Sequence, residues 1–171
     1  MRRQQRHALI AIGVALLLGI VVFAQVRHEQ TQWPAPLTRL EPSAINRIEL
    51  KCPGCVHQVY ERVDGVWWMR EPSNRRADSE RIGHLLAIAQ ASVRSRKSLT
   101  GLELAKLGLQ PAQVTLTLDT TRIAFGGFDN INGDRYVRVD DEHQIALVPD
   151  HFSPYLFSAP EPGTEAATQT P

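Results

Sequence analysis

INRIELKCPGCVHQVYERVDGVWWMRE, residues 45–71, carries the clearest strand and turn pattern of the chain. Ile48 and Leu50 alternate with Arg47, Glu49 and Lys51, the period of two that places apolar side chains on one face of a half-buried strand. Val56 to Val63 and Val66 to Arg70 continue as strands, rich in β-branched and aromatic residues. Asp64-Gly65 between them is the pair a tight two-residue hairpin turn favours. The segment reads as three antiparallel strands in a meander.

Within it stands Cys52-Pro53-Gly54-Cys55, the one feature able to carry chemistry. In the turn reading, Pro53 sets the first central residue of a type II turn and Gly54 supplies the positive φ of the second. The two cysteines then sit at the turn's ends, less than about 7 Å apart, which overlaps the Cα spacing of a disulfide. Such a clamp contributes about 2 kcal/mol by the loop-entropy model. A thioredoxin-like redox pair needs a helix after the motif to activate its first thiol, whereas Val56–Val63 reads as strand. Haem attachment needs His directly after the second Cys, and here Val56 precedes His57. A metal site needs two further ligands, for which His57, His143 and His151 are available only if the fold brings them in. A disulfide between Cys52 and Cys55 is the expected state, with thiol-disulfide or metal-dependent activity at this turn as the alternative.

Downstream, Asp78 or Ser79 caps a helix whose Ile82, Leu85, Leu86, Ala89 and Val93 form one stripe able to cover the meander, with His84 on the opposite face. The basic run Arg94–Lys97 reads as a solvated loop, or as a contact for anionic lipid headgroups. Thr100 to Leu107 reads as a short helical turn ended by Gly108. Strand patterns return at Val114, Leu116 and Leu118 and at Ile123 and Phe125, and Gly126-Gly127 and Asn132-Gly133 break the chain. Arg135–Val139 and Gln144–Val148 form a hairpin, followed by an Asp150-capped helical turn carrying Phe152, Tyr155 and Leu156. Strands then helix, twice over, predicts an α+β domain of antiparallel β-meanders with one main packing helix and short helical turns, and argues against a doubly wound parallel sheet.

Toward the N-terminus, Ala8 to Ala24 carries no charged or strongly polar side chain, and with Gln25 and Val26 it nearly spans a hydrocarbon core of about 30 Å. Residues 8–26 therefore read as a transmembrane helix contacting the bilayer. Arg2, Arg3 and Arg6 precede it and Arg27 is nearly balanced by Glu29, which leaves residues 1–7 in the cytoplasm. Pro34, Pro36 and Pro42 mark residues 27–42 as a linker, residues 43–157 form one periplasmic domain, and residues 158–171 read as a disordered tail. The competing reading is a signal peptide cleaved before Gln25, which releases a secreted periplasmic binding module. With 19 basic against 18 acidic residues, no global field favours nucleic acid, and no nucleic-acid partner is expected.

Trp67 and Trp68 are neighbours on a strand and so point to opposite faces, one toward the core and the other outward as a partner surface. Asp129, Asp134, Asp140, Asp141 and Glu142 read as turn residues, since DNINGD lacks the later bidentate Glu of an EF-hand loop. The sequence contains no phosphate-cradling Gly-rich loop, no GxSxG elbow and no HExxH motif. No catalytic, cofactor-binding or metal-ligating residue is therefore assigned, and the expected protein is not an enzyme and needs no cofactor.

Taken in order, INRIEL, DGVWWMREP, ADSERI, KLGLQP, the GG after IAF, and RYVRV followed by IALV, behind an N-terminal anchor, resemble the bacterial domain-of-unknown-function family DUF4340 over about Ser43 to Leu156. Each motif alone is largely structural. The resemblance implies a membrane-associated bacterial protein, in a family often found alongside uncharacterised transport and gliding-motility-type components, with no established catalytic residues. This chain departs from the pattern at Leu107, where the family often has an aromatic residue, and in its CPGC turn. The function expected is that of a non-enzymatic, inner-membrane-anchored periplasmic domain, an interaction or accessory component of an envelope complex.

Overall fold

Alternation along the chain builds one antiparallel sheet of nine strands in the computed structural model, which describes residues 35–140 and 142–157. In chain order the elements are β1 (Arg47–Lys51), β2 (Gln58–Val63), β3 (Val66–Glu71), β4 (Arg75–Arg76), α1 (Ser79–Ala87), β5 (Ser95–Ser98), β6 (Val114–Leu118), β7 (Thr121–Phe128), β8 (Asp134–Val139), β9 (Gln144–Pro149) and α2 (Ser153–Phe157). The strand order is β4-β3-β2-β1-β6-β7-β8-β9-β5, so β1 joins the two meanders by pairing with β2 on one side and β6 on the other. The α+β architecture expected from the pattern of elements is present.

Register makes one face of this sheet continuously apolar. Met69 lies opposite Tyr60, Tyr60 opposite Ile48, and Ile48 opposite Leu118. Leu50, Leu116, Ile123 and Val139 form a second row, and Val114, Phe125, Val137 and Ala146 a third. All are buried, and α1 covers them with Ile82 and Leu85. The Asp78 carboxylate accepts from the backbone N–H groups of Glu80 and Arg81, which settles the cap on Asp78.

Several expectations are corrected. The helix ends at Ala87, continues as a 3-10 turn over Ile88–Gln90, and leaves Val93 buried beyond it. The reason is competition for carbonyls: Leu37 N and Thr38 N donate to Ala91 O and Ala89 O. Those residues belong to the stretch read as linker, but Pro36 bridges Ser92, Leu37 is buried, and the compact unit begins at Pro36 rather than at residue 43. His84, off the apolar stripe, stacks its ring on Tyr155 at 3.7 Å. Arg94–Lys97 is not a loop: Ser95 to Ser98 pair with β9, from Leu147 to Gln144. Thr100 to Leu107 forms irregular turns instead of a helix, although Gly108 does take the positive φ expected of it (+67°). Gly126-Gly127 does not break the chain but bulges β7 against β8.

Both edge strands are short and basic, Arg75-Arg76 at one side and Ser95-Arg96-Lys97-Ser98 at the other. Charge on a short edge deters pairing with a further chain. The expected membrane-spanning segment 8–26, linker residues 27–34 and the tail 158–171 lie outside the described residues. Among the described residues, no helix is long and apolar enough to cross a membrane.

Candidate functional site

The β2–β3 hairpin turns through Asp64 and Gly65, at φ +50° and +78°, the left-handed pair that a type I′ turn requires. This fixes the pleat, and the pleat separates the two tryptophans. Trp67 packs partly buried against the core, opposite Arg62, whose guanidinium lies 5.9 Å from its ring centroid. Trp68 stands on the other face, between Glu61 and Arg76. Each tryptophan lines a groove. On the α1 side, Trp67 with Val66, Arg76, Ile82, Gly83 and Leu86 borders about 270 Å³. On the far side, Trp68 with Val63, Asp64, Val66, Arg70 and Asn74 borders about 430 Å³.

The CPGC turn closes as its composition predicts. Cys55 N donates to Cys52 O at 3.3 Å, Gly54 takes φ +78°, and a disulfide joins Cys52 to Cys55 across a Cα separation of 5.4 Å. Beside it, His57 Nε2 lies 2.8 Å from Glu49 Oε1 and Nδ1 lies 2.9 Å from Glu71 Oε2, so β1 and β3 grip the imidazole from two sides. Lys51 also meets the Glu49 carboxylate. The Lys51 hydrogen bond, against the upward push of burial and with help from His57, holds the Glu49 carboxyl below the usual range. His143 stands just before β9, four strands from β1 or about 19 Å across the sheet, and His151 follows β9. The fold thus leaves both apart from the cysteine pair. Among the described residues, no group of three His, Cys, Asp or Glu is arranged to hold a metal ion.

Sequence reasoning missed a third cluster, centred on Arg135. It occupies the same face of β8 as Val137 and Val139 and is buried. Its Nη1 donates to Gly126 O at 2.6 Å and Gln113 Oε1 at 3.1 Å, while Nη2 donates to Asp150 Oδ2 at 3.1 Å and Ser153 Oγ at 2.6 Å. The rings of Phe128 and Phe157 lie 4.1 and 5.1 Å from the guanidinium carbon. Burial pushes the Asp150 carboxyl upward, but the hydrogen bonds from Arg135 and Ser153 outweigh it and leave it below its usual range. The signal was available: in RYVRV, alternation assigns Arg135 to the apolar row, and a cation there demands a built set of partners.

Neighbouring contacts draw further motifs into this node. Gly127 N donates to Leu107 O at 2.8 Å, and a Cβ on Gly126 would fall 2.3 Å from the same oxygen. The KLGLQP loop therefore seats on the GG bulge, whose carbonyl in turn engages Arg135. Of the acidic residues of DNINGD, Asp129 serves the turn, its Oδ2 accepting from Asn132 N and its N donating to Asp134 O, whereas Asp134, expected as a turn residue, opens β8 and pairs with Pro149. Asp134, itself buried, lies 2.6 Å from Arg94 Nε in an ion pair.

A family model described as a domain of unknown function, DUF4340, matches residues 67–160. The tryptophan pair and the Arg135 node fall inside that match, and the CPGC turn precedes it. No curated protein and no solved structure matches the chain.

Proposed function

The chain belongs to the DUF4340 family, and from that membership we propose that it is a non-enzymatic periplasmic domain, anchored in the inner membrane by residues 8–26, that serves as an interaction component of an envelope complex. The observation that carries the interaction role is the pair of grooves flanking the β2–β3 hairpin, each lined by one of two adjacent tryptophans. Aromatic side chains beside concave, partly apolar surface are what protein partners use as anchors. Export is supported by the Cys52–Cys55 disulfide, a bond that persists in oxidising compartments, and by the arginine-flanked apolar run near the N-terminus.

Intact mass of membrane-fractionated protein, with thiol labelling, tests the location. The expected result is a full-length membrane form whose cysteines label only after denaturation and reduction; a soluble chain beginning near Gln25 overturns the anchor. A photoreactive side chain at Asn74, on the rim of the Trp68 groove, tests the surface in native membranes. One envelope protein is expected in the adduct, lost on Trp68→Ser while the unfolding midpoint changes little, because Trp68 faces away from the core. Adducts insensitive to Trp68→Ser count against this surface.

A further inference from the structure

Exposed apolar side chains collect at one end of the sheet. The β7–β8 connection carries Ile131 at 87% exposure and Phe128 at 52%, and Phe157, which closes α2, is 45% exposed. The rings of Phe128 and Phe157 flank the same Arg135 guanidinium, and Ile131 stands three residues beyond Phe128, so the three share one end of the molecule. The neighbouring carboxylates are turned inward. Asp129 is buried and accepts from Asn132 N, Asp134 is buried against Arg94, and Asp150 is held by Arg135. What the turn presents outward is Asn130-Ile131-Asn132-Gly133, uncharged and bearing the isoleucine. An exposed apolar patch of this kind marks a surface that meets an apolar neighbour.

The point where the chain enters the domain identifies that neighbour. Pro36 bridges Ser92, and two residues further on Arg94 Nε lies 2.6 Å from Asp134 Oδ2, at the foot of the same turn. Register agrees, since Ser95 lies opposite Leu147 and Asp134 opposite Pro149, near one end of β9. Nine residues, 27–35, separate the apolar run 8–26 from Pro36, and at full extension they span at most about 30–32 Å. An anchored domain therefore keeps this end within reach of the bilayer. Arg94, its side chain 55% exposed beside the tip, supplies a cation for anionic headgroups. We propose that Phe128, Ile131 and Phe157 dip into the bilayer interface with Arg94 at headgroup level, so that the domain rests on the membrane by its β7–β8 end. The proposal rests on the anchor in residues 8–26. Register puts Glu61, Arg47, Leu118 and Thr121 at the other end of the sheet from Phe128. The Asp64-Gly65 hairpin and its tryptophan grooves then point away from the bilayer, open to a periplasmic partner.

The test uses the full-length chain reconstituted in vesicles of phosphatidylethanolamine and phosphatidylglycerol. A photoreactive residue replaces Asn130 in one protein and, in a second, Thr120, in the turn at the other end of β7. Carbonate extraction first reads the anchor alone: a chain stripped from the vesicles overturns the anchor and this proposal with it. In a retained chain, phospholipid adducts are expected from the Asn130 site and not from the Thr120 site. Ile131→Glu should lower the lipid adducts about tenfold or more, the worth of one fully buried apolar side chain. Its unfolding midpoint should match the parent's, because Ile131 is exposed in the fold. Equal lipid adducts from both sites, none from the Asn130 site, adducts that join two copies, a protein adduct in place of lipid in native membranes, or a yield untouched by Ile131→Glu would each overturn the docking while the anchor stands.

Discussion

Arg135 and Asp150 meet at 3.1 Å, Nη2 to Oδ2, with side chains only 4% and 7% exposed. The pair fastens β8 to the start of α2, and through the other guanidinium nitrogen it also holds the Gly126 carbonyl of the β7 bulge. One cation thus closes the end of the sheet.

Arg135→Met should cost about 3–5 kcal/mol, because it leaves Asp150 as an unpaired buried charge. Urea denaturation of the two proteins measures this directly. Adding Asp150→Asn should recover a substantial part of the loss, since the penalty belongs to the stranded carboxylate more than to the missing contact.

Acid stability should carry the signature of Asp150. Burial raises its proton affinity, but the Arg135 and Ser153 hydrogen bonds prevail, so its folded value lies below the unfolded one. A group shifted in that direction stabilises fully above its unfolded value, near pH 4, and the contribution is lost as pH falls through the folded value. Unfolding midpoints measured from pH 7 down to pH 2 should fall less steeply below about pH 4 in Asp150→Asn than in the parent. Some slope should persist, because Glu49 is shifted the same way, chiefly by Lys51.

The two glycines of the bulge should behave differently. Gly126→Ala drives a Cβ to 2.3 Å from the Leu107 carbonyl oxygen and should destabilise by about 1–3 kcal/mol. Gly127→Ala meets its nearest atom at 3.7 Å and should stay within about 0.5 kcal/mol of the parent. Thermal unfolding of both variants, side by side, checks the contrast.

Replacing Cys52 and Cys55 together by serine should lower stability by about 2 kcal/mol, the loop-entropy value for so short a closure. The fold itself should persist, with unchanged far-ultraviolet circular dichroism, because Pro53-Gly54 and the Cys55 N to Cys52 O hydrogen bond still form the turn.

Much of this fold is legible locally. Ile48 and Leu50, Val114 to Leu118, and the flanks of Asp64-Gly65 declare strands and a hairpin because pleat and turn rules act within a few residues. The same pleat rule separates Trp67 from Trp68. β5 escaped because Ser95-Arg96-Lys97-Ser98 has no apolar alternation; its strand character comes from backbone pairing with β9, which lies far along the chain. Leu37 and Thr38 escaped for a like reason, since their partners are the carbonyls of Ala91 and Ala89.

The meanders, a helix start at Asp78 or Ser79, the CPGC turn and the opposed faces of the tryptophans are all readable from residue order, because they follow from interactions between near neighbours. Where the two terminal nitrogens of Arg135 find their acceptors is, by contrast, a matter of tertiary structure. Its partners Gln113, Gly126, Asp150 and Ser153 come from separate segments, and a buried cation is stable only where the register of β7, β8 and β9 delivers those acceptors to one point.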